Sequence, residues 1–391
     1  MNFMKIVYIS SPFFLDADVP LIKTLISKGH IIHFFIKMMP NALKSPLLDI
    51  PEIYPKAGVF DSSIYDNHID KYKKYIGIEK IYIINSLTNS LNLKESFFLN
   101  NQFHCYLEKI DPDIIHLISW PSITAFRWIF KYRKKIVCTI HDPYPHEGAR
   151  SLKLRVLNIL SKLFLKNYIL LNKTQTKAFR QYYLIFFANI YYSNLGNYDL
   201  LDLFGEKKEN GKRYILFFGR ITPYKGVDVL LAAFRKVQSE FKDINLIVAG
   251  SGEFNFDITP YLHDSQIDIL NRFIQLEELG TLIKNCEFVV CPYISATQSG
   301  VVASVLALGK PLIVTRVGGL PDMIVDGKSG LVIMPNSVDA LADSLRTLLH
   351  DRDKVEKMVQ YIKETSENGE KSWNKIANEL IKTYYIINNN I

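Results

Sequence analysis

The chain has 391 residues, more than one ordinary core holds, so two domains of roughly 150–200 residues are expected. Hydrophobic residues make up 48% and charged ones 22%, which excludes a disordered or fibrous chain, and no apolar run approaches the ~18 residues of a membrane-spanning helix. The net charge of +8 is uneven, with 25 Lys/Arg against 15 Asp/Glu in residues 1–200 and 22 against 24 in residues 201–391.

From the first residues, MNFMKIVYIS enters a strand pattern directly, which reads as a chain without a secretion leader. Four cysteines, Cys105, Cys138, Cys286 and Cys291, suit a reducing, cytoplasmic compartment rather than a disulfide frame. Cys286 and Cys291 lie five apart with no paired histidine and read as buried thiols, not zinc ligands. After a strand at 4–10, Val19, Leu21, Ile22, Leu25 and Ile26 repeat at helical spacing, Gly29 ends that helix, and 31–36 returns as a strand. Residues 40–78, broken by Pro40, Pro46, Pro51 and Pro55, take no assignment. Further strands are expected at 80–84, 113–118, 135–140 and 167–171, and this alternation is the pattern of a parallel sheet with crossover helices.

Between residues 127 and 187 there are 13 basic residues and, as acids, only Asp142 and Glu147. Within that run KLRVLNILSKLFLKNYILL interleaves cations with apolar residues, which suits an anionic membrane surface; a helix with a solvated lysine face is the plainer reading. No zinc-finger, ribonucleoprotein or helix-turn-helix pattern points to nucleic acid.

Residues 204–212, FGEKKENGK, read as a linker between a first domain at 1–203 and a second at 213–370. The second opens with a strand at 214–219 and a helix whose buried face is Val227, Leu230, Leu231, Phe234, Val237 and Phe241. Strands follow at 245–250, 287–293, 311–315 and 331–334, then a helix from Val338 to Leu349. The tail, 371–391, carries an apolar helical stripe through Trp373, Ile376, Ala377, Leu380, Ile381, Tyr384 and Tyr385. Two doubly wound α/β domains of this kind bind ligands past the carboxyl ends of their strands.

Gly219 and Arg220 end a strand in FFGRITPYKGVD, and Lys225 and Gly226 precede a helix. Two cations beside a helix N-terminus suit a diphosphate, although exposed loop cations are commonplace. In SATQSGVVASVLALGKP, Thr297, Gln298, Ser299, Gly300 and Val301 open an apolar helix; they suit phosphate or sugar hydroxyls, and equally an ordinary cap. Gly250, Ser251 and Gly252 form a turn after a strand, a weak signal alone. His141 in TIHDPYPHEG follows a buried strand, with Asp142 and His146 on the same loop. The nicotinamide-type glycine fingerprint and the Walker lysine loop are both missing.

FFGRITPYKGVDVLLAAF, LIVAGSGEF, SATQSGVVASVLALGKPLIVTRVGGLPDMIVDGKSGLVI and SWNKIANELIKTYY resemble glycosyltransferase family 4, strongly over 213–385 and more thinly before. The resemblance implies the GT-B fold, two Rossmann-like domains facing a cleft, with the last helix crossing back to the first domain. It implies a retaining, metal-independent hexosyl transfer from a UDP- or GDP-linked sugar, without other cofactors. It makes Arg220 and Lys225 the diphosphate ligands and His141 the donor-sugar contact, with Arg272 near the base. Ser11, Asp142 and His146 fall on the acceptor side. The family's two glutamates, with seven residues between them, are here Ala296 and Ser304, with Gln298 and Ser299 as substitutes, and Ser10-Ser11-Pro12-Phe13 stands for its Gly-Gly loop. The resemblance and the basic stretch together imply a lipid-linked saccharide acceptor at the inner face of a bacterial membrane, in capsule, exopolysaccharide or lipopolysaccharide synthesis. A GT-B-type sugar-nucleotide epimerase and a catalytically degenerate scaffold are the alternatives.

Overall fold

A computed structural model describes residues 3–45, 47–48, 50–89, 92–118, 123–140, 165–171, 176–183, 185–194, 196, 198–208, 211–296, 299–370 and 372–389. The chain divides into two units, Met1–Gly196 with Trp373–Ile391, and Asn197–Ser372.

In the first unit, β1 (Lys5–Ser10), β2 (Ile31–Met38), β3 (Gly58–Asp61), β4 (Ile81–Asn85), β5 (Ile114–Leu117), β6 (Ile136–Ile140), β7 (Asn167–Leu170) and β8 (Asn189–Tyr192) form a sheet in the order β3-β4-β2-β1-β5-β6-β7-β8. Neighbours pair in parallel except β3 with β4. The inner strands are sheathed by helices on both faces, and β1 and β6 are accordingly runs of buried β-branched residues rather than alternating ones. Between β1 and β2 runs α1 (Leu15–Ser27), which buries Leu15, Val19, Leu21, Ile22 and Leu25. The Pro-rich stretch holds the antiparallel edge strand β3 and a helix at Asp66–Ile76. An antiparallel edge strand of four residues does not follow the βαβ crossover rhythm, so that rhythm does not reveal it.

The second unit is an all-parallel sheet of β9 (Arg213–Phe218), β10 (Ile244–Ala249), β11 (Ile267–Leu270), β12 (Val289–Cys291), β13 (Leu312–Thr315) and β14 (Gly330–Ile333), ordered β11-β10-β9-β12-β13-β14. Strand β9 runs into α2 (Val227–Val237), which buries Val227, Leu230, Leu231, Phe234 and Val237; each such side chain contributes about 1.5–3 kcal/mol by leaving water. Phe241 is buried too, in the turn beyond the helix. Strand β12 leads to α3 (Gly300–Ala307).

Residues 202–208 dock on the helix Leu276–Asn285: Lys284 Nζ donates to the Asp202 and Gly205 carbonyls, and the Glu206 and Lys208 N–H groups donate to Thr281 Oγ1 and Asn285 Oδ1. This segment therefore belongs to the second unit, and the division falls after Gly196 rather than at 203. The last helix, α4 (Trp373–Asn389), belongs to the first unit. It buries Trp373, Ile376, Ala377, Leu380, Ile381 and Tyr384, and its Tyr384 hydroxyl is hydrogen-bonded to His116 Nδ1 on β5.

Candidate functional site

Numbered within its own unit, the second sheet runs 3-2-1-4-5-6, the order of nucleotide-binding doubly wound folds. Its strand order reverses between β9 and β12. Successive connections leave in opposite directions there, which opens a crevice past the strand ends. Gly219 follows β9, and the segment 292–301 links β12 to α3.

The two glycine turns form one floor. Gly219 N–H donates to the Ala249 carbonyl at 3.0 Å and Ile221 N–H to the Ser251 carbonyl at 2.9 Å, which carries the parallel pairing of β9 and β10 past the strands. A Cβ on Gly250, where φ is +149°, would sit 1.9 Å from the Gly219 carbonyl oxygen, so only glycine lets the turns approach this closely. Asn271 completes the floor, its Nδ2 donating to the Gly252 carbonyl and its Oδ1 accepting the Gly252 N–H, both at 3.1 Å.

Lys225 ends a short 3₁₀ turn, and Gly226 reverses the chain at φ +65° against the Pro292 carbonyl, 2.1 Å from where a Cβ would stand. Ile294 N–H donates to the Tyr224 carbonyl at 2.8 Å, so the loop after β9 is stitched to the loop after β12. That stitch places Lys225 Nζ 3.6 Å from the ring centroid of the fully buried Tyr293, a cation–π contact in a partly desolvated setting. Burial lowers the Lys225 pKa, Cys291 opposes that shift, and the positive charge of Arg220 adds to it. Arg220 itself is exposed and, among the described residues, has no carboxylate partner.

Ser299 caps α3, its buried Oγ accepting from Val302 N–H at 3.5 Å. The cap leaves the first amides of the helix, Gly300 and Val301, directed at its positive end. Val301 Cγ2 lies 3.6 Å from the position a Gly219 Cβ would take. Among the described residues the buried Tyr293 hydroxyl has no well-formed hydrogen bond, though it lies beside the Ser299 hydroxyl and the Cys291 thiol, and Thr222 Oγ1 likewise has no partner among them.

The structure thus gathers Gly219, Gly250, Ser251, Gly252, Ser299, Gly300 and Val301 at one switch point, with Arg220 and Lys225 on the loop beside them. Arg272 is placed otherwise: its guanidinium is held by Glu278 in a two-point pair at 2.6 and 2.7 Å. Ala296 is half-buried before the helix and Ser304 lies within it. Thr297, Gln298, His141, Asp142 and His146 lie outside the described residues, as do residues 141–164 of the basic run. Ser11 is in the first unit, past β1, its carbonyl accepting from Phe14 N–H at 3.0 Å. Tyr293 went unread in the sequence, where it stands two residues beyond β12; an aromatic just outside a buried strand and facing a loop lysine was the available signal. Cys286 and Cys291 are buried thiols, each pushed up to about 12 by desolvation.

Residues 202–365 match the family model "Glycosyl transferases group 1" and residues 62–174 match "Glycosyltransferase Family 4". An uncharacterized glycosyltransferase of Methanocaldococcus jannaschii, MJ1178, is 30% identical over 181 residues, 45% of this chain and 49% of that protein; the chain spans about half the length of the curated relatives it matches. Among solved structures, a glycosyltransferase from Rickettsia africae has a TM-score of 0.59 at 18% identity, covering 100% of both chains. Anabaena HepE, solved in complex with UDP, has a TM-score of 0.55 at 16% identity, covering 98% of this chain and 100% of its own. A family 4 glycosyltransferase model thus matches within the first unit and a group 1 glycosyltransferase model within the second, and the two doubly wound units are consistent with the GT-B fold of the solved structures.

Proposed function

We propose that the chain transfers a hexose-type sugar, with retention, from a nucleotide diphosphate to a hydroxyl of a saccharide acceptor. The observation that carries this reading is the placement of Arg220 and Lys225 on the loop after the glycine floor, which is stitched to the loop leading to the start of α3. A diphosphate needs fixed positive charge and free N–H donors together, and the UDP in the HepE structure supports that choice of donor.

As the glycosidic C–O bond breaks, negative charge builds on the leaving diphosphate. Arg220 and Lys225 meet that growing charge more strongly than the ground-state charge, which lowers the barrier. Lys225 is held by the Tyr293 ring before the donor arrives, so little reorganisation is left for the reaction itself. Side-chain cations and a helix end supply the charge a divalent ion would otherwise bring, so transfer proceeds in chelator. The first unit supplies the acceptor, a lipid-linked saccharide of bacterial surface polysaccharide synthesis, and the chain works from the cytoplasmic face as a peripheral protein. Among the described residues no helix is long and apolar enough to cross a membrane.

Removing either cation is expected to cost about 2–4 kcal/mol of barrier. Arg220→Ala and Lys225→Ala should therefore transfer sugar about thirtyfold to a thousandfold more slowly; rates near wild type would overturn the assignment. A thermal-shift panel of UDP- and GDP-sugars identifies the base. Ala296 and Ser304, in the positions of the family's glutamates, favour one second reading, a scaffold without catalysis, which no donor sugar would stabilise.

A further inference from the structure

Lys37 is the last residue but one of β2, one place beyond the pairing of Ile36 with Ser10 of β1 and opposite Ile84 of β4. Alternation puts it on the same sheet face as Phe35, whose ring packs against Tyr82, Phe103 and Tyr106. Its stem therefore shares an apolar face, and the residue is only partly exposed. Among the described residues its ammonium makes no hydrogen bond and no ion pair, and desolvation lowers its pKa.

The polar groups nearby are engaged elsewhere. Glu95, in the first turn of the helix Leu93–Ile110, accepts from Ser86 Oγ and from Leu87 N–H, both at 2.7 Å. Asn100 of that helix donates to Thr124 Oγ1 and accepts from Trp128 Nε1, each at 2.9 Å. Taking an ammonium out of water without a counter-charge is costly, and a methionine would cover the same apolar face without that cost. The charge therefore answers to something other than the chain's own packing.

Position and a second orphaned group identify the ligand. After β2 the chain turns at Pro40–Lys44, and this turn is tied to the loops beyond two other strands. Ser45 Oγ donates to the Pro12 carbonyl past β1, and Asn41 N–H donates to Asn89 Oδ1 past β4, both at 2.7 Å. The side-chain oxygen of Asn41 is buried and has no partner among the described residues. An unpaired cation and an unpaired acceptor thus stand four residues apart at the carboxyl end of a parallel sheet, where such folds take ligands. A lysine suits a phosphate and an amide oxygen suits a hydroxyl; a sugar phosphate carries both.

We propose that Lys37 holds the phosphate, and Asn41 a hydroxyl, of a phosphorylated saccharide, which makes the acceptor a phosphate ester. The proposal rests on the reading of the first unit as the one that supplies the acceptor.

Full-length protein is melted in saturating UDP, which fills the diphosphate site of the second unit, with glucose 1-phosphate or inorganic phosphate added. Wild type should be stabilised further by glucose 1-phosphate, at concentrations about tenfold below those inorganic phosphate needs. Lys37→Met should melt at or above wild type without the sugar phosphate and should bind it about tenfold or more weakly. Lys37→Arg should keep the response, and Asn41→Ala should lose the preference for glucose 1-phosphate over inorganic phosphate. An unchanged response in Lys37→Met, or no response in wild type, would overturn the proposal. So would a Lys37→Met protein that melts well below wild type before any sugar phosphate is added, which would give the ammonium a structural partner. Equal binding of the two phosphates by wild type would make a free anion the occupant and overturn the acceptor assignment. UDP stabilisation, measured in parallel and dependent on Arg220 and Lys225, separates the two readings: a sugar-phosphate response that fails while UDP still stabilises removes this site and leaves glycosyl transfer standing.

Discussion

At the second unit's switch point Arg220 and Lys225 stand on loops beyond the strands, and Gly300 and Val301 open a helix toward the same space. At the first unit's, between β1 and β5, polar side chains instead turn toward one another. Asp18, buried on α1, accepts from the Tyr8 hydroxyl at 2.8 Å and from the Ser10 hydroxyl. The ring of His116 lies 4.6 Å from that of Tyr8 and is bonded to Tyr384 and, at 2.7 Å, to Thr139 Oγ1. Asp18, His116 and Thr139 line a cavity of about 40 Å³ with Trp373, Ile376 and Leu380 from α4, room for two or three waters at most. One topology thus carries two arrangements, loop cations beside a helix start in the second unit and an inward set that fastens the last helix to its sheet in the first.

The largest expected effect breaks the outward set at its floor. Gly250→Ala drives a methyl to 1.9 Å from the Gly219 carbonyl at a φ that L-residues avoid. The backbone must move, at about 4 kcal/mol, and both glycine turns move with it. Denaturant melts should show that loss, and UDP stabilisation should vanish at temperatures where the variant is still folded. Retained UDP binding would mean that the floor does not shape the site.

The inward set is tested by pH. Burial pushes the Asp18 carboxyl up to about 7; its bonds from Ser10 and Tyr8 oppose the shift and Asp16 adds to it. An unfolded aspartate titrates near 3.9, so between about pH 4 and 7 the unfolded chain gives up a proton that the folded chain keeps. Stability from this group is therefore full below about pH 4 and falls as pH rises to about 7, by roughly 4 kcal/mol. Asp18→Asn should flatten that part of the curve, so that its melting temperature gains on wild type from pH 5 to pH 8. An unchanged slope would show that Asp18 stays ionised in the fold.

Much of this organisation was legible because periodicity and turn chemistry act locally. The face Val227, Leu230, Leu231, Phe234 and Val237 and the stripe from Trp373 to Tyr384 can be read along the chain, since each is set by one helix's own repeat. The strand-loop-helix grammar around Gly219 and Lys225 was readable for the same reason. What escaped depends on distant segments. Strand β11 is an edge strand of four residues and the helix Leu276–Asn285 spans only ten, so neither offers a long repeat to read. Arg272, which the resemblance puts near the base, is held by Glu278, six residues on. His116, Tyr384 and Thr139 lie far apart in sequence and meet only through the sheet order.

The smallest effect sharpens the comparison where the two sets resemble each other, at a buried tyrosine. Tyr384 in the first unit uses its hydroxyl; Tyr293 in the second uses its ring, under Lys225, and leaves its hydroxyl without a well-formed bond. Tyr293→Phe keeps the face that holds the ammonium and removes an unsatisfied polar atom, so stability should stay level or rise by about 1 kcal/mol. Tyr293→Leu removes the π face and should weaken UDP binding by about 1–2 kcal/mol. Tyr384→Phe strips a partner from His116 and should destabilise by about 1–3 kcal/mol without touching UDP affinity. Melting and UDP titration of the three variants give the comparison directly. If Tyr293→Phe proves as damaging to stability as Tyr384→Phe, the Tyr293 hydroxyl has a partner in solution, and the second unit is fastened inwardly as the first is.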